Sequence, residues 1–409
     1  MKPRPKLKIF NDPIYGFIRI PNALIFDLIN HPYFQRLRRI SQMGMSYLVY
    51  PGAHHTRFHH ALGAMHLMQE AITMLRYKGF DISPEEEEGL LAAILLHDIG
   101  HGPFSHALEH EWIEGAGHEH ISLLFMEALN REFGGRLETA IAIFKGTYPR
   151  KFLNQLVSSQ LDMDRLDYLK RDSFYTGVAE GNINSERLIA MLTVHDGQLA
   201  VEEKGVYSVE KFLMARRFMY WQVYLHKTGL VAEQLLVRAV DRARFLHASK
   251  KLDLPQGALG RFIEATGTPA QRDPEWLSDF AGLDDVDILY ALKRWRQHPD
   301  TVLSRICEML LERRLLSIKI KPDPIKKGRL EKKRRQVQEA WGMSPEEASY
   351  FVFDGKVENR AYDTKRQNIN ILLPKGRVMD VASLTDRLNL EVLSEPVVKH
   401  YICYPKKGI

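Results

Sequence analysis

Cysteine is nearly absent, since the 409 residues include only Cys307 and Cys403. Two thiols cannot build the disulfide framework of small secreted domains, and their scarcity fits a reducing cytoplasm. No apolar run approaches the roughly 20 residues that a membrane span needs, and the longest candidate, 90–96, ends at His97. The basic N-terminus leads into NDP at 11–13 instead of the apolar core of a secretion signal. We therefore expect a cytoplasmic protein that does not contact a membrane.

A strong charge of one sign is also lacking. The net charge of +6 is mild, and much of the excess lies in 319–335. A mildly basic protein suits anionic partners, but this value alone does not identify one. The basic run at 326–335 has no aromatic residues among its cations, so nucleic-acid binding through stacked bases is poorly supported. We expect this run to form a solvated helix.

The length and the globular composition, 45% hydrophobic and 26% charged, predict two or three domains. Apolar residues recur at helical spacing through much of the first 250 residues, beginning with Leu24, Ile25 and Leu28. We predict a mostly α protein. In this prediction, residues 1–250 form a helical core with a short N-terminal β element and a hairpin. Residues 251–409 form a smaller α+β appendage.

Local signals predict several element boundaries. Ser83 and Pro84, followed by acidic residues, predict the start of a helix. Asp196 and Gly197 predict the turn of a hairpin, and one long helix is predicted over 209–248. The other predicted elements are helices at 158–172, 283–296 and 299–313 and strands at 348–354, 369–373 and 398–404.

Four residues suggest a metal site: His60, His97, Asp98 and Asp164. They lie on three predicted helices, and imidazole with carboxylate suits divalent first-row metals. Such an ion can lower the pKa of bound water from 15.7 towards ~7 and can neutralise phosphoryl charge. A single His-Asp pair carries little weight, because the chain has 17 histidines.

The surrounding motifs strengthen the metal assignment. They are RFHHALG at 57–63, HDIGHGPFSH at 97–106 and DMDRLDY at 162–168. In this order they resemble the successive motifs of the HD-domain deoxynucleoside triphosphate (dNTP) triphosphohydrolases, most of all the catalytic domain of the vertebrate SAM-and-HD-domain enzymes and their bacterial relatives. The resemblance runs over about 10–229, and we expect no SAM domain ahead of it.

The resemblance implies a divalent ion, which could be Mn, Mg, Fe, Ni, Co or Zn, held by His60, His97, Asp98 and Asp164. It places three imidazoles, those of His101, His106 and His118, beside the scissile phosphate. An imidazole can pass a proton to a leaving oxygen near neutral pH, and Glu109 and Glu119 could orient or charge the rings. The run around His118 could equally be a polar helix start, and the choice between His106 and His118 as proton donor stays open.

Phosphate binding needs fixed cations and donors. Arg57, Arg165 and Tyr168 lie on helices that carry predicted metal ligands, and their side chains can point towards the phosphate. The resemblance gives phosphate binding to these three residues and to Arg216. It also places Gln42 and Met43 near the sugar, Asp172 on the 3′-hydroxyl and Tyr224 against the 2′ face. Met43 replaces the leucine of the vertebrate enzymes, so we expect looser discrimination against ribose.

Related enzymes form oligomers with regulatory nucleotide sites, so a homodimer or homotetramer and a regulatory nucleotide are expected partners. Asn11, Gln35, Arg38 and His226 match parts of such a site, whereas Asn30 replaces its guanine-binding aspartate. The basic run at 36–39 could instead be a solvated helix face, and both interpretations stay open. We interpret Asp167 and Arg171, four residues apart, as an ion pair on a helix surface.

Three hypotheses follow. In the first, water activated by the metal attacks the α-phosphorus of a dNTP, and deoxynucleoside and inorganic triphosphate leave. In the second, the same site hydrolyses another phosphoester, such as a nucleoside monophosphate or a cyclic nucleotide. In the third, the chain is a nucleotide sensor or nucleic-acid-binding module without catalysis. The intact metal tetrad with its neighbouring histidines favours the enzymes.

Overall fold

The computed structural model describes residues 8–104, 107–109, 117–264, 275–359, 362, 367–384 and 397–406. Within these ranges the chain is mostly helical, with short strands near the N-terminus and in the C-terminal region, which confirms the predicted fold class. No helix among the described residues combines the length and the apolar composition needed to cross a membrane.

The helices of the first 250 residues carry the metal-site candidates. They are α1 Ala23–Asn30, α2 Pro32–Gln35, α3 Arg57–Tyr77, α4 Pro84–Leu96, α5 His118–Glu132, α6 Glu138–Phe144, α7 Lys151–Val157, α8 Met163–Thr176, α9 Ser185–Ala190, α10 Val206–Met219 and α11 Lys227–Ala248. The later described helices are α12 Ala258–Glu264, α13 Trp276–Ala281, α14 Asp285–Trp295, α15 Thr301–Leu311, α16 Lys327–Trp341, α17 Pro345–Ser349 and α18 Val381–Leu384.

The strands form three small sheets. They are β1 Ile9–Asp12, β2 Gly16–Arg19, β3 Leu192–His195, β4 Gln198–Glu202, β5 Ser317–Lys321, β6 Phe353–Asn359, β7 Asn370–Leu372, β8 Val378–Asp380 and β9 Val397–Tyr404. The sheet orders are β1-β2, β3-β4-β7-β8 and β5-β9-β6. Strand β7 pairs in parallel with β4, so the C-terminal region extends the hairpin of the first 250 residues. The domain division at residue 250 stays a prediction.

Helix α4 lies at the centre of the core. Ser83 caps its N-terminus, because the Ser83 hydroxyl accepts from the Glu86 amide (3.1 Å) and the Glu86 carboxylate accepts from the Ser83 amide (3.0 Å). Every residue of 90–96 is fully buried. A helix that is apolar on all sides packs inside the protein, and α4 packs against α3. It therefore delivers His97 and Asp98 into the interior.

Several predicted boundaries are confirmed and others are wrong. The hairpin turns at Asp196 and Gly197, which both have positive φ. The basic run at 326–335 lies on α16, which buries only Val337, as predicted for a solvated helix. The long helix predicted over 209–248 is wrong, because a π-helical turn at Tyr220–Tyr224 separates α10 from α11. The strand predicted at 348–354 is displaced, because α17 ends at residue 349 and β6 begins at residue 353.

The basic run at 36–39 is not a uniformly solvated face. Arg36 is only 1% exposed, and burial lowers the pKa of its guanidinium to about 9. Its Nη2 donates to the carbonyls of Ile99 and His101, each at 2.8 Å, and its Nη1 donates to that of Leu283 at 3.3 Å. Arg36 therefore fastens the segment after α4 to the rest of the core.

Replacing Arg36 with methionine should remove the donor from these buried carbonyls, which then stay without hydrogen bonds. We expect the free energy of unfolding to fall by about 3 kcal/mol. The exposed Arg131→Met on α5 is the control, with an expected change below about 0.5 kcal/mol. Urea unfolding of both variants measures the difference, and equal losses would contradict the structural role of Arg36.

Candidate metal centre

Three helices bring the four predicted ligands together. His60 comes from α3, His97 and Asp98 directly follow α4, and Asp164 lies in the first turn of α8. His60 Nε2 is 3.1 Å from Asp164 Oδ1 and 3.4 Å from His97 Nε2. His97 Nε2 is 3.3 Å from Oδ1 of Asp98 and also 3.3 Å from Oδ1 of Asp164. The ligand atoms of His60, His97 and Asp164 lie close enough together to hold one ion, and Asp98 forms a neighbouring group of the same kind with His101 and His118.

The hydrogen bonds behind the two imidazoles fit a metal. His60 Nδ1 lies 2.7 Å from a carboxylate oxygen of Asp167, and His97 Nδ1 lies 2.6 Å from the carbonyl of Ile94. The carbonyl of Ile94 only accepts, so His97 Nδ1 carries a proton, and the carboxylate of Asp167 favours the same arrangement in His60. When the rings are neutral, each Nε2 can therefore offer its lone pair to a metal. Two such nitrogens and the carboxylates of Asp98 and Asp164 are all acceptors. This donor set suits a divalent cation.

The charges at the centre likewise favour positive charge between the carboxylates, carried by protons on the imidazoles or by a divalent ion. Burial lowers the pKa of His60, but hydrogen bonds to Asp164 and Asp167 and the charge of Asp98 outweigh burial and raise this pKa to about 10. Burial raises the pKa of Asp164, but hydrogen bonds from His60 and His97 hold it well below its usual range. Carboxylates that remain ionised in the interior need a cation close to them.

Asp167 and Arg171 are not on the surface, so the predicted exposed ion pair is wrong. Both side chains are fully buried. Arg171 donates to both oxygens of Asp167 at 2.9 Å and to Asp12 of β1 at 2.8 Å. Burial raises the pKa of Asp167, but Arg171 and His60 lower it overall to about 2. The four-residue spacing predicted the pair, but it could not show that α3 covers that face of α8.

Gly63 permits this arrangement. A Cβ on Gly63 would lie 2.0 Å from Asp167 Oδ1 and 2.2 Å from an Arg171 nitrogen. Any larger residue would push α3 and α8 apart, and Asp167 would no longer reach His60. This glycine therefore sets the distance between two of the three helices that carry predicted ligands.

Two predicted catalytic histidines lie beside the metal cluster. His101 Nε2 is 3.3 Å from Asp98 Oδ1, and the ring of His101 stacks on that of His118 with centroids 3.9 Å apart. Glu109 accepts from the backbone amide of His118 at 2.6 Å and lies 2.8 Å from its Nδ1. Burial lowers the pKa of His118, but Glu109 and Asp98 raise it overall. Glu109 therefore orients the ring of His118 and favours its protonated form.

The two remaining predicted catalytic residues are not brought to the cluster. His106 lies outside the described residues. Glu119 follows His118 in the first turn of α5, but it is exposed and does not line the cavity beside the metal cluster. Consecutive helical side chains point about 100° apart, so the two neighbours face different directions.

The loop after α4 packs closely on α5. A Cβ on Gly100 would lie 2.3 Å from the carbonyl of His118 and from the amide of Ser122. The Ser122 hydroxyl donates to the carbonyl of His97 at 2.7 Å and accepts from the amide of Gly100 at 2.9 Å. This contact holds His118 over the metal cluster.

A cavity of about 400 Å³ opens beside the cluster. The predicted phosphate- and nucleoside-binding residues that line it are Gln42, Met43, Arg57, Tyr168, Asp172 and Tyr224. The sequence interpretation missed Ser46, Tyr220, Leu225 and Glu233, which also line it. No sequence motif marks these four residues. Tyr220 lies in the π-helical turn, which no local sequence signal predicts.

The predicted phosphate-binding arginines differ in their surroundings. Arg57 lines the cavity and donates to Asp98 Oδ2 at 2.5 Å. Arg165 donates to the carboxylate of Asp162, and Arg216 donates to Gln160 Oε1 at 2.9 Å. Neither of these two is among the residues that line the cavity. Only Arg57 therefore faces the cavity directly.

Asp172 is held from two sides in the cavity wall. Tyr224 Oη donates to its Oδ2 at 2.8 Å, and His55 Nε2 lies 2.7 Å from its Oδ1. The aromatic rings of Tyr168 and Tyr224 meet edge to face with centroids 6.2 Å apart. The carboxylate of Asp172 and the hydroxyl of Tyr224 thus have a fixed geometry towards the cavity.

The residues that match a regulatory nucleotide site make local contacts. Asn30 donates to the carbonyl of Phe26, and Gln35 donates to that of Ile29. Arg38 lies over the ring of Phe58, and His226 caps α11. These contacts leave the regulatory site a prediction.

Comparison with known proteins identifies the family. Residues 57–172 match the model of the HD domain, and residues 183–254 match that of the HD associated region. The Bacillus subtilis protein YwfO is 31% identical over 98% of this chain and 92% of its own length. The chain belongs to the HD-domain phosphohydrolase family. As an HD phosphohydrolase it is a metal-dependent enzyme, which argues against the hypothesis of a non-catalytic sensor.

Two further relatives of this HD phosphohydrolase bear on its function. The crystal structure of a phosphohydrolase from Bacteroides thetaiotaomicron is 48% identical in sequence, and its TM-score is 0.94. The match covers 98% of this chain and 100% of that one. The deoxynucleoside triphosphate triphosphohydrolase SAMHD1 homolog of Dictyostelium discoideum is 31% identical over 62% of this chain and 53% of that protein.

Replacing Asp167 with asparagine should weaken metal binding without removing a ligand. The neutral amide stabilises the His60 ring less, and loss of such a supporting partner lowers metal affinity about 10- to 100-fold. Calorimetric titration with Mn²⁺ measures the affinity. Asp196→Asn, in the exposed hairpin turn, serves as the control and should bind like the original protein. An unchanged affinity in the Asp167 variant would show that the hydrogen bond to His60 does not support the site.

Proposed function

We propose that this HD phosphohydrolase hydrolyses dNTPs to deoxynucleoside and inorganic triphosphate. The observation that carries the proposal is one continuous cavity. Its lining includes Asp98 and Asp164 of the metal cluster and also Met43 and Tyr224 of the predicted nucleoside site. A triphosphate and its nucleoside can therefore contact both groups of residues at once.

The residues of the cavity have distinct roles in this proposal. A divalent ion held by His60, His97, Asp98 and Asp164 would activate the attacking water and offset phosphoryl charge. Arg57 lies against Asp98, so its guanidinium can bind a phosphate oxygen next to the cluster. The hydroxyl of Tyr168 is a further donor in the cavity wall. The native metal is not assigned by this donor set.

In this proposal His118 protonates the 5′-oxygen that leaves. Its ring lines the cavity, Glu109 holds its Nδ1, and its stacking on His101 restricts its rotation. An imidazole oriented through one nitrogen presents the other to the substrate. His106 remains the alternative donor.

The sugar is proposed to bind at Asp172 and Tyr224. Asp172 is fixed by His55 and Tyr224, so its carboxylate can accept the 3′-hydroxyl without reorganising. The ring of Tyr224 would close the 2′ face, and Gln42 and Met43 would contact the sugar from the other wall. The similarity to the Dictyostelium discoideum dNTP triphosphohydrolase homolog supports this assignment.

We extend the proposal to the assembly of the protein. We propose a homo-oligomer that binds a regulatory nucleotide and acts in the cytoplasm. The resemblance to the dNTP enzymes supports this proposal. The core over 1–250 would hold the active site, and the region over 251–409 would take part in regulation or oligomerisation.

One observation favours a second candidate activity. Arg165 and Arg216 are held by Asp162 and Gln160, and neither lines the cavity. Arg57 is the one arginine among the described residues that line the cavity, and a single guanidinium also suits a single phosphoester, as in a nucleoside monophosphate or a cyclic nucleotide.

A product assay separates the two activities. Purified protein is incubated with dNTPs, nucleoside monophosphates and cyclic nucleotides in Mn²⁺ or Mg²⁺, and the phosphate products are resolved by ion-exchange chromatography. We expect inorganic triphosphate and deoxynucleoside in equal amounts, because the attack is at the α-phosphorus. Orthophosphate or pyrophosphate as the first product of a dNTP would refute this regiochemistry.

Replacing Glu109 with glutamine should change the pH dependence of hydrolysis. Glu109 raises the pKa of His118, so its neutral replacement lowers that pKa. A proton donor works only below its own pKa, and the high-pH limb of kcat/KM should therefore move to lower pH by about one unit. Glu127→Gln, on the same helix, is the control. A high-pH limb that stays in place would exclude His118 as the proton donor.

A further inference from the structure

Glu233 is an acidic residue with no place in the proposed mechanism. It lies on α11, which carries no predicted metal ligand, and its side chain lines the cavity. Its Oε1 is 3.7 Å from the position that a Cβ on Gly44 would occupy, next in sequence to Met43. Glu233 therefore borders the cavity beside the proposed nucleoside site.

Among the described residues, none forms a hydrogen bond or an ion pair with the carboxyl group of Glu233. Burial raises its pKa to about 7. The residue is half-buried, so its carboxyl group loses part of its water but stays accessible from the cavity. Partial loss of water without a partner costs free energy, and a ligand with N–H donors would offset that cost.

A second unpaired acceptor lies in the same cavity wall. Gln42 Oε1 is buried and has no hydrogen-bond partner in the described structure. Phosphate oxygens are also acceptors and carry negative charge, so they cannot satisfy Glu233 or Gln42 Oε1. In the proposed site the 3′-hydroxyl of the sugar binds Asp172, and Gln42 can contact both the sugar and the base. The donors that remain for Glu233 are therefore the N–H groups of the base.

We infer that Glu233 recognises the nucleobase of the substrate and selects guanine through its paired N–H groups. The inference rests on the proposed nucleotide activity and adds the base preference of that same site. Guanine presents N1–H and N2–H side by side, which match the two oxygens of one carboxylate. Adenine and cytosine place a ring-nitrogen acceptor beside their amino group. Thymine flanks its single N–H with two carbonyls, which would repel a carboxylate.

The test compares Glu233→Gln with the original protein at about pH 8, where the carboxyl is ionised. The amide keeps the size of the side chain, but it can accept only one of the two N–H groups. Asp241→Asn is the matched control, since it makes the same chemical change on the same helix without lining the cavity. Thermal unfolding of all three proteins confirms that they fold alike.

Binding of the four deoxynucleosides is measured by calorimetry, and kcat/KM is measured for the four dNTPs. We expect the original protein and the Asp241 variant to prefer deoxyguanosine and dGTP. In Glu233→Gln, the preference for guanine over thymidine and dTTP should fall about tenfold or more. One of the two guanine N–H groups then lacks an acceptor in the cavity.

Equal base preference in the original protein and the Glu233 variant would overturn the inference, and so would an absence of nucleoside binding. The binding measurement does not need turnover. If Glu233-dependent binding of deoxyguanosine occurs without release of triphosphate, the proposed reaction fails while base recognition by Glu233 stands. If turnover occurs with unchanged base ratios, the reaction stands and the inference fails.

Discussion

The hydrogen bond between Asp167 and His60 Nδ1 is the contact on which the metal centre depends. It restricts the rotation of the fully buried imidazole of His60, a candidate metal ligand. Asp167 is fixed in turn by Arg171, and Arg171 by Asp12 of the N-terminal hairpin. The position of an imidazole at the cluster therefore depends on a strand at the start of the chain.

This chain of contacts explains why so many charges lie in the core. An isolated ion in the interior is unstable, whereas one that is paired and hydrogen-bonded can be retained. Arg171 and Arg36 each satisfy several acceptors in this way. The glycines at 63 and 100 complete the arrangement, since both allow segments to approach closely enough for these bonds. Polar contacts and steric fit thus jointly orient the helices around the cavity.

The ordered motifs pointed to four candidate ligands that the structure brings together, because a ligand set needs particular residue types and these are visible in the sequence. The mostly helical fold followed from apolar spacing for a similar reason. Burial was not visible in the same way. Arg36 and the pair of Asp167 and Arg171 look like surface charges in the sequence, since their partners lie on segments distant along the chain. The break between α10 and α11 was also missed, because no proline or glycine marks the π-helical turn.

The cavity wall proposed to bind the nucleoside was likewise only partly predictable from the sequence. Gln42 and Met43 were suggested by a resemblance, whereas Glu233 carries no motif and became visible only through its position in the cavity wall. A lone acidic residue in a helix is usually solvated, and its sequence neighbours gave no reason to expect otherwise.

The parallel pairing of β4 with β7 has a consequence for shortened forms of the chain. Backbone groups of 200–202 lie in register with those of 370–372, so the later segment covers one side of the earlier hairpin. A protein cut near residue 250 would leave that side of β4 as an open edge with unpaired amides and carbonyls. Open edges invite pairing between molecules, so aggregation of such a fragment would reflect the missing strand and not an inability of the helices to pack.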